Sequence, residues 1–95
     1  MSDKTRLIAE MAEAGYTAQD IIAAQDVGQF YVFVCEDGAD DMYIVALWRK
    51  ATATRDGDFI DGELARAYKL VDAKRAAVAV VKGMKAVETQ TQMSA

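Results

Sequence analysis

The stretch FYVFVCEDGADDMYIVALW, residues 30–48, decides the fold of this chain. Two runs of mostly β-branched and aromatic residues, 30–35 and 42–48, enclose six residues that are acidic or small. Such runs on either side of turn residues are typical of an antiparallel β-hairpin. We prefer a four-residue loop over 37–40 to a two-residue Asp37-Gly38 turn, because the longer loop keeps the carboxylates off the sheet. The preferred register pairs Cys35 with Met42, Phe33 with Ile44 and Tyr31 with Ala46.

Both faces of the predicted hairpin are apolar. One face carries Tyr31, Phe33, Cys35, Met42, Ile44, Ala46 and Trp48, and the other carries Phe30, Val32, Val34, Tyr43, Val45 and Leu47. An antiparallel sheet commonly leaves one face to water, so both faces here need a cover. If the helices cover one face, a second copy of the chain is the simplest cover for the other. We therefore expect a homodimer or a higher closed oligomer.

The segment before the hairpin predicts two helices joined by a tight turn. Apolar residues fall at helical spacing in the first helix, at Leu7, Ile8, Met11 and Ala14. Gly15 then supplies a C-cap. Thr17 is a good N-cap for a second short helix that ends near Ala24, because Asp20 stands three residues later, in the capping-box position.

The segment after the hairpin predicts a long C-terminal helix. From Glu63 to about Val87 the composition is helical, although residues 77–83 are also compatible with a third strand. The predicted fold is therefore α+β, with a helical hairpin, a two-stranded or three-stranded antiparallel hairpin and a long C-terminal helix. Residues 1–88 form one domain, and 89–95 a flexible tail.

Composition excludes several chemistries. The chain has 95 residues, 11 Lys and Arg against 15 Asp and Glu, no His and no Pro, and Cys35 is its single cysteine. Without His, one chain cannot form a Ser-His-Asp or Cys-His catalytic set or a histidine-ligated metal site. One cysteine cannot form an intrachain disulfide or a thiolate zinc site. We expect a protein that is not an enzyme and has no catalytic residues, cofactor or metal.

Other signals concern metal, nucleic acid and location. The acidic segments 36–41 and 56–63 lack the spacing of a calcium loop, and we interpret them as solvated turns. The predicted second helix has no Lys or Arg, which argues against nucleic-acid binding. The chain shows no signal-peptide pattern and no apolar run that could span a membrane, so we expect a cytoplasmic protein.

One cluster suggests a binding site. Trp48, Arg49 and Lys50, with Arg55 nearby in sequence, place an aromatic ring beside three cations at the far end of the second strand. Such a set suits a nucleotide, a phosphate-bearing metabolite or an acidic protein surface. Tyr43 and Arg66 are possible neighbours. The alternative places Trp48 in the core and the cations in solvent.

Elimination then favours an interaction protein. We predict a small non-enzymatic protein that binds and occupies an unknown macromolecular partner, as an inhibitor or adaptor of the kind that phages and mobile elements encode. The alternative is a module that sequesters an anionic metabolite or nucleotide. Residues 1–65 hold 5 basic and 13 acidic side chains, a net charge of −8, whereas residues 66–95 hold 6 and 2, a net charge of +4. This separation favours self-association or an electropositive partner for the loops.

Overall fold

Four consecutive strands form one antiparallel sheet, with a helix before it and a helix after it. The computed structural model describes the backbone of residues 2–17 and 20–94 and the side chains of residues 2–17 and 20–87. The elements are α1 (Asp3–Glu13), β1 (Ile21–Val27), β2 (Phe30–Asp37), β3 (Met42–Arg49), β4 (Asp58–Ala67) and α2 (Leu70–Ser94). The strand order is β1-β2-β3-β4, so each strand pairs with the next one along the chain. The predicted α+β class is confirmed.

Helix α1 follows the sequence prediction. The Ser2 hydroxyl caps its first turn by accepting a hydrogen bond from the Thr5 amide at 3.1 Å. Leu7 and Met11 are buried against the sheet. Gly15 has a φ of +89°, the left-handed conformation in which the chain leaves the helix.

The predicted second helix, from Thr17 to about Ala24, is wrong. Residues 21–27 form strand β1, which pairs with β2 from Ile21 opposite Cys35 to Val27 opposite Phe30. The capping pattern at Thr17 is a local signal, and the backbone hydrogen bonds that β2 offers to residues 21–27 outweigh it. Ala18 and Gln19, which belong to that prediction, lie outside the described residues.

The hairpin is confirmed, but its register differs from the preferred one. Asp37 pairs with Met42, Cys35 with Ile44 and Tyr31 with Trp48, so the four-residue loop is 38–41. The Asp37 carboxylate can stay on the sheet because Arg66 Nη1 donates to it at 3.1 Å. The observed pairing is shifted by two residues from the predicted one, since Cys35 pairs with Ile44 and not with Met42. Side chains alternate between faces with a period of two, so the same side chains still share a face, and the predicted faces are correct.

The sheet has four strands, not the predicted two or three, and the last helix starts later than predicted. Residues 58–67 form β4, and pairs such as Tyr43 with Ala67 and Arg49 with Asp58 join it to β3. Residues 77–83 lie within α2 and are helical, as preferred. The helical backbone continues to Ser94. Ala95 lies outside the described residues, so the division into residues 1–88 and a tail, 89–95, stays a prediction.

Each face of the sheet is covered by one helix. On the α1 side the core consists of Leu7, Met11, Ile21, Tyr31, Phe33, Ala46 and Trp48. On the α2 side it consists of Val27, Val32, Val34, Val45, Ala73 and Val81. The expected oligomer therefore cannot rest on a bare sheet face, because the helices lie on opposite sides. Neither described helix is both long and apolar enough to cross a membrane.

Candidate functional site

The structure places Trp48, the aromatic member of the predicted cluster, inside the core. Its side chain is 0% exposed, and its indole Nε1 donates to Glu10 Oε1 at 3.1 Å. Tyr16 and Phe59 contact the ring edge-on, with centroid distances of 5.6 and 5.0 Å. In this arrangement no face of the indole is available to stack on a ligand.

The three cations of the predicted cluster all contact acceptors of the chain. Arg49 donates from Nε and Nη2 to the two carboxylate oxygens of Asp58, each at 3.1 Å. Lys50 Nζ lies 2.6 Å from an Asp26 carboxylate oxygen and 4.9 Å from the centre of the Tyr31 ring. Arg55 Nη2 donates to the Lys50 carbonyl at 3.3 Å. These contacts tie the end of β3 to its neighbours.

Tyr43 and Arg66, the suggested neighbours, lie at the opposite end of β3. Six residues separate Tyr43 from Arg49, which is about 20 Å of strand. Arg66 Nη1 lies 3.1 Å from Asp37 and 3.2 Å from Asp40, and the guanidinium also contacts Glu63. The hydrogen bond with Glu63, followed by that with Asp37, raises the pKa of Arg66. Arg66 therefore links the hairpin loop to β4.

An apolar groove lies between the β1–β2 turn and α2, and we call it the turn groove. Its volume is about 760 Å³. Its lining consists of Val27, Gly28, Gln29, Phe30, Val80, Gly83, Met84 and Val87. Among the described residues, no charged side chain lines it. Sequence reasoning missed this groove because its two walls are fifty residues apart and meet only where α2 crosses the sheet.

A smaller groove of about 310 Å³ lies on the other flank of α2. Its lining consists of Ala23, Ala24, Gln25, Val32, Val34, Lys74, Ala77, Val78 and Val81. One helix is about 10 Å wide, whereas four strands span about 15 Å between their outer axes. A single helix therefore leaves apolar sheet surface on both of its flanks.

Helix α2 has three distinct faces at about 100° per residue. The sheet-facing side chains are Leu70, Ala73, Ala76, Ala77, Val80, Val81 and Met84. A second face, the basic face, carries Lys74, Arg75, Lys82 and Lys85. The third, the small-residue face, carries Ala79, Gly83 and Ala86, with Asp72 on the same stripe nearer the start of the helix, and Gly83 is part of the wall of the turn groove.

One residue of the predicted cluster adjoins the turn groove. Arg49 pairs directly with Phe30 across β2 and β3, so the two side chains share the α2 side of the sheet. Asp58 pairs with Arg49 on its other side. The groove therefore has apolar walls and an arginine–aspartate pair next to one end.

Cys35 lies away from this groove, half-buried on the α1 side of the sheet. Burial, and then the nearby carboxylates of Asp20 and Asp37, raise the pKa of its thiol. The thiol is therefore a poor nucleophile at neutral pH.

Comparisons with protein families, curated proteins and solved structures found no match to this chain.

Proposed function

We propose that this chain is a small cytoplasmic, non-enzymatic interaction protein that acts by occupying a macromolecular partner, and that it works as a homo-oligomer. We assign the turn groove as the surface that binds the macromolecular partner. An inhibitor or an adaptor of phage or mobile-element type acts in this way, by contact rather than by chemistry.

The observation that carries the proposal is the apolar lining of a groove as large as about 760 Å³. On the surface of a monomer, an open apolar concavity of this kind typically marks a binding site. Phe30 and Met84 are only partly buried in its walls. A partner side chain that fills the groove removes this surface from water, at roughly 25 cal/mol for each Å².

The chemistry of the lining supports binding rather than catalysis. Enzyme pockets usually combine an apolar wall with converging titratable groups of perturbed pKa. Among the described residues that line the turn groove, none is titratable. Gln29 supplies the polar side chain of the lining, and it can orient a partner through hydrogen bonds.

A charged side chain placed in the groove tests this role. Gly83 lies in the wall, and a Cβ added there meets no atom within 4 Å, so Gly83→Glu should fold. Gly38→Glu is the matched control, because Gly38 lies in the hairpin loop and is also open to solvent. Tagged wild-type chain and both variants are purified from the native host, and any recovered macromolecule is then bound again with purified components.

We expect to recover a macromolecule that binds the wild type and the Gly38→Glu variant but does not bind the Gly83→Glu variant. Recovery of the same partner by all three chains contradicts the assignment of the groove.

A small-ligand module is the second candidate, and the position of Arg49 beside Phe30 favours it. An amphiphilic anion could place its apolar part in the groove and its charge near Arg49. Thermal-shift measurements with nucleotides, inorganic phosphate and a fatty acid distinguish this candidate. Saturating ligand should raise the melting temperature by several degrees in the wild type and not in Arg49→Ala.

A further inference from the structure

We infer that the edge strand β4 carries a second interaction surface, which binds a segment of a protein partner that has both apolar and basic side chains. None of the residues of this surface lines the turn groove. The inference is therefore independent of the role proposed for that groove.

Half of the large apolar side chains that are exposed among the described residues gather at β4. We call them the β4 patch, and they are Tyr16, Phe59, Ile60 and Leu64. Each is between 37% and 47% exposed. The rings of Tyr16 and Phe59 meet edge-on, with a centroid distance of 5.0 Å. Clustered apolar exposure of this kind typically marks an interaction site.

The β4 patch is open because the helices pack elsewhere on the sheet. Strand β4 is the last in the order, so one of its edges has no neighbouring strand. Helix α1 packs on β1 and β2. Helix α2 packs against the end of β4, at Ala65 and Ala67, and residues 59–64 are exposed.

Carboxylates are interleaved with the apolar side chains of β4, and they determine the charge of the partner. Residues 56–64 contain no Lys or Arg and four acidic residues, Asp56, Asp58, Asp61 and Glu63. Arginines of the chain pair with Asp58 and Glu63, whereas Asp56 and Asp61 form no ion pair among the described residues. Lys or Arg side chains of a partner are attracted by these two carboxylates, and an acidic partner is repelled.

The same features disfavour two other occupants. Nucleic acid would bring phosphates towards the carboxylates. The β4 strand of a second copy would bring the same carboxylates, and the pairing of β4 with β3 is irregular on both sides of Leu47. Such bulges and edge charges oppose regular strand addition, so we assign recognition to side chains rather than to a ladder of backbone hydrogen bonds.

Binding of short synthetic peptides to the full chain, measured by fluorescence anisotropy, tests this inference. The probe is a labelled eight-residue peptide of alternating leucine and lysine. Two matched peptides replace every lysine by glutamate or every leucine by serine. We expect the leucine–lysine peptide to bind the wild type much more tightly than either matched peptide, and we expect added NaCl to weaken its binding.

Two variants of β4 and two matched controls on α2 locate the contact. Ile60→Thr removes exposed apolar surface from the β4 patch, and Val78→Thr is its control because Val78 is 49% exposed. Asp61→Asn removes one of the two carboxylates without an ion pair, and Asp72→Asn is its control on another exposed acid. Circular dichroism confirms that each variant is folded.

We expect Ile60→Thr to raise the dissociation constant of the leucine–lysine peptide at least about threefold, and Asp61→Asn to raise it about twofold, with both controls unchanged. Absence of binding, or equal binding of either matched peptide, overturns the chemistry assigned to the partner. Controls that weaken binding as much as the β4 variants overturn the assigned surface. The capture experiment with Gly83→Glu tests the turn groove separately, so the two proposals can fail independently.

Discussion

At the scale of single residues, the tightest contact of the fold surrounds Gly57. A Cβ at this position would lie 2.6 Å from Trp48 Nε1 and 2.7 Å from Glu10 Oε1. Trp48 is fully buried and hydrogen-bonded to Glu10, so neither group can move freely. We predict that Gly57→Ala lowers the free energy of unfolding by about 1–3 kcal/mol, as overpacking does. Urea unfolding followed by Trp48 fluorescence measures this change.

The control for this substitution is Gly38→Ala. Gly38 has no atom within 4 Å of an added Cβ, so its replacement should change the free energy of unfolding by less than about 0.5 kcal/mol. Equal stabilities of the two variants would show that the Trp48–Glu10 contact does not confine Gly57.

Cys35 gives a second prediction at this scale. Because burial raises the pKa of its thiol, the thiolate should form at a higher pH in the folded chain than in the unfolded chain. Alkylation by iodoacetamide should therefore be slow at pH 7.5 and should still accelerate above about pH 8.5, the ordinary pKa of cysteine. A rate that levels off at or below that pH in the folded protein would contradict the prediction.

At the scale of elements, Asp3 connects α1 to β1. Its Oδ2 accepts a hydrogen bond from the Asp26 amide at 3.1 Å, and its carboxylate pairs with Arg6. The first of these, and then the second, lowers the pKa of Asp3. This stabilisation is complete above the unfolded-state pKa, near 3.9, and is lost as the pH falls through the lower folded-state pKa.

We therefore predict that Asp3→Asn destabilises the protein at pH 7 and that its difference from the wild type shrinks below about pH 4. Urea unfolding at pH 7, 4 and 2.5 gives the comparison. A difference that stays constant over this range would mean that the charge of Asp3 does not contribute.

The elements also show what a single sequence can predict. The hairpin was predictable because residues 30–35 and 42–48 are strongly β-forming and adjacent, so the signal and its partner lie together. Strand β1 was not predictable, because the capping pattern at Thr17 is local and favours a helix. The hydrogen bonds from β2 that favour a strand form only in the folded chain. Strand β4 was missed for the same reason, because Glu63-Leu64-Ala65-Arg66 has a helical composition.

Site prediction had a similar limit. The sequence identified the cations at the end of β3 as a group, but the structure divides Arg49 and Lys50 between the two faces of the sheet. Arg49 lies on the α2 side with Phe30 and Asp58, whereas Lys50 lies over the Tyr31 ring on the α1 side. The sequence could not show that Trp48 is buried, nor that Arg49 adjoins a groove. Whether residues 27–30 and 80–87 form one surface depends on the angle at which α2 crosses the sheet, and no local pattern sets that angle.

At the scale of the whole molecule, the packed core and the exposed apolar surface lie in different places. The sheet is covered on both faces, yet α2 leaves grooves on its flanks and carries a small-residue face. The chain measures 45 × 31 × 23 Å, and α2 alone is roughly 37 Å long. The turn groove therefore lies along the side of a long helix that stays at the surface.

Binding of a purified partner to the Gly83→Glu variant tests the central claim most directly, because the added carboxylate lies in the apolar wall of the turn groove. We predict that a macromolecule captured by the wild type also binds Gly38→Glu and loses its binding to Gly83→Glu. Equal binding by all three chains would contradict the assignment of the turn groove.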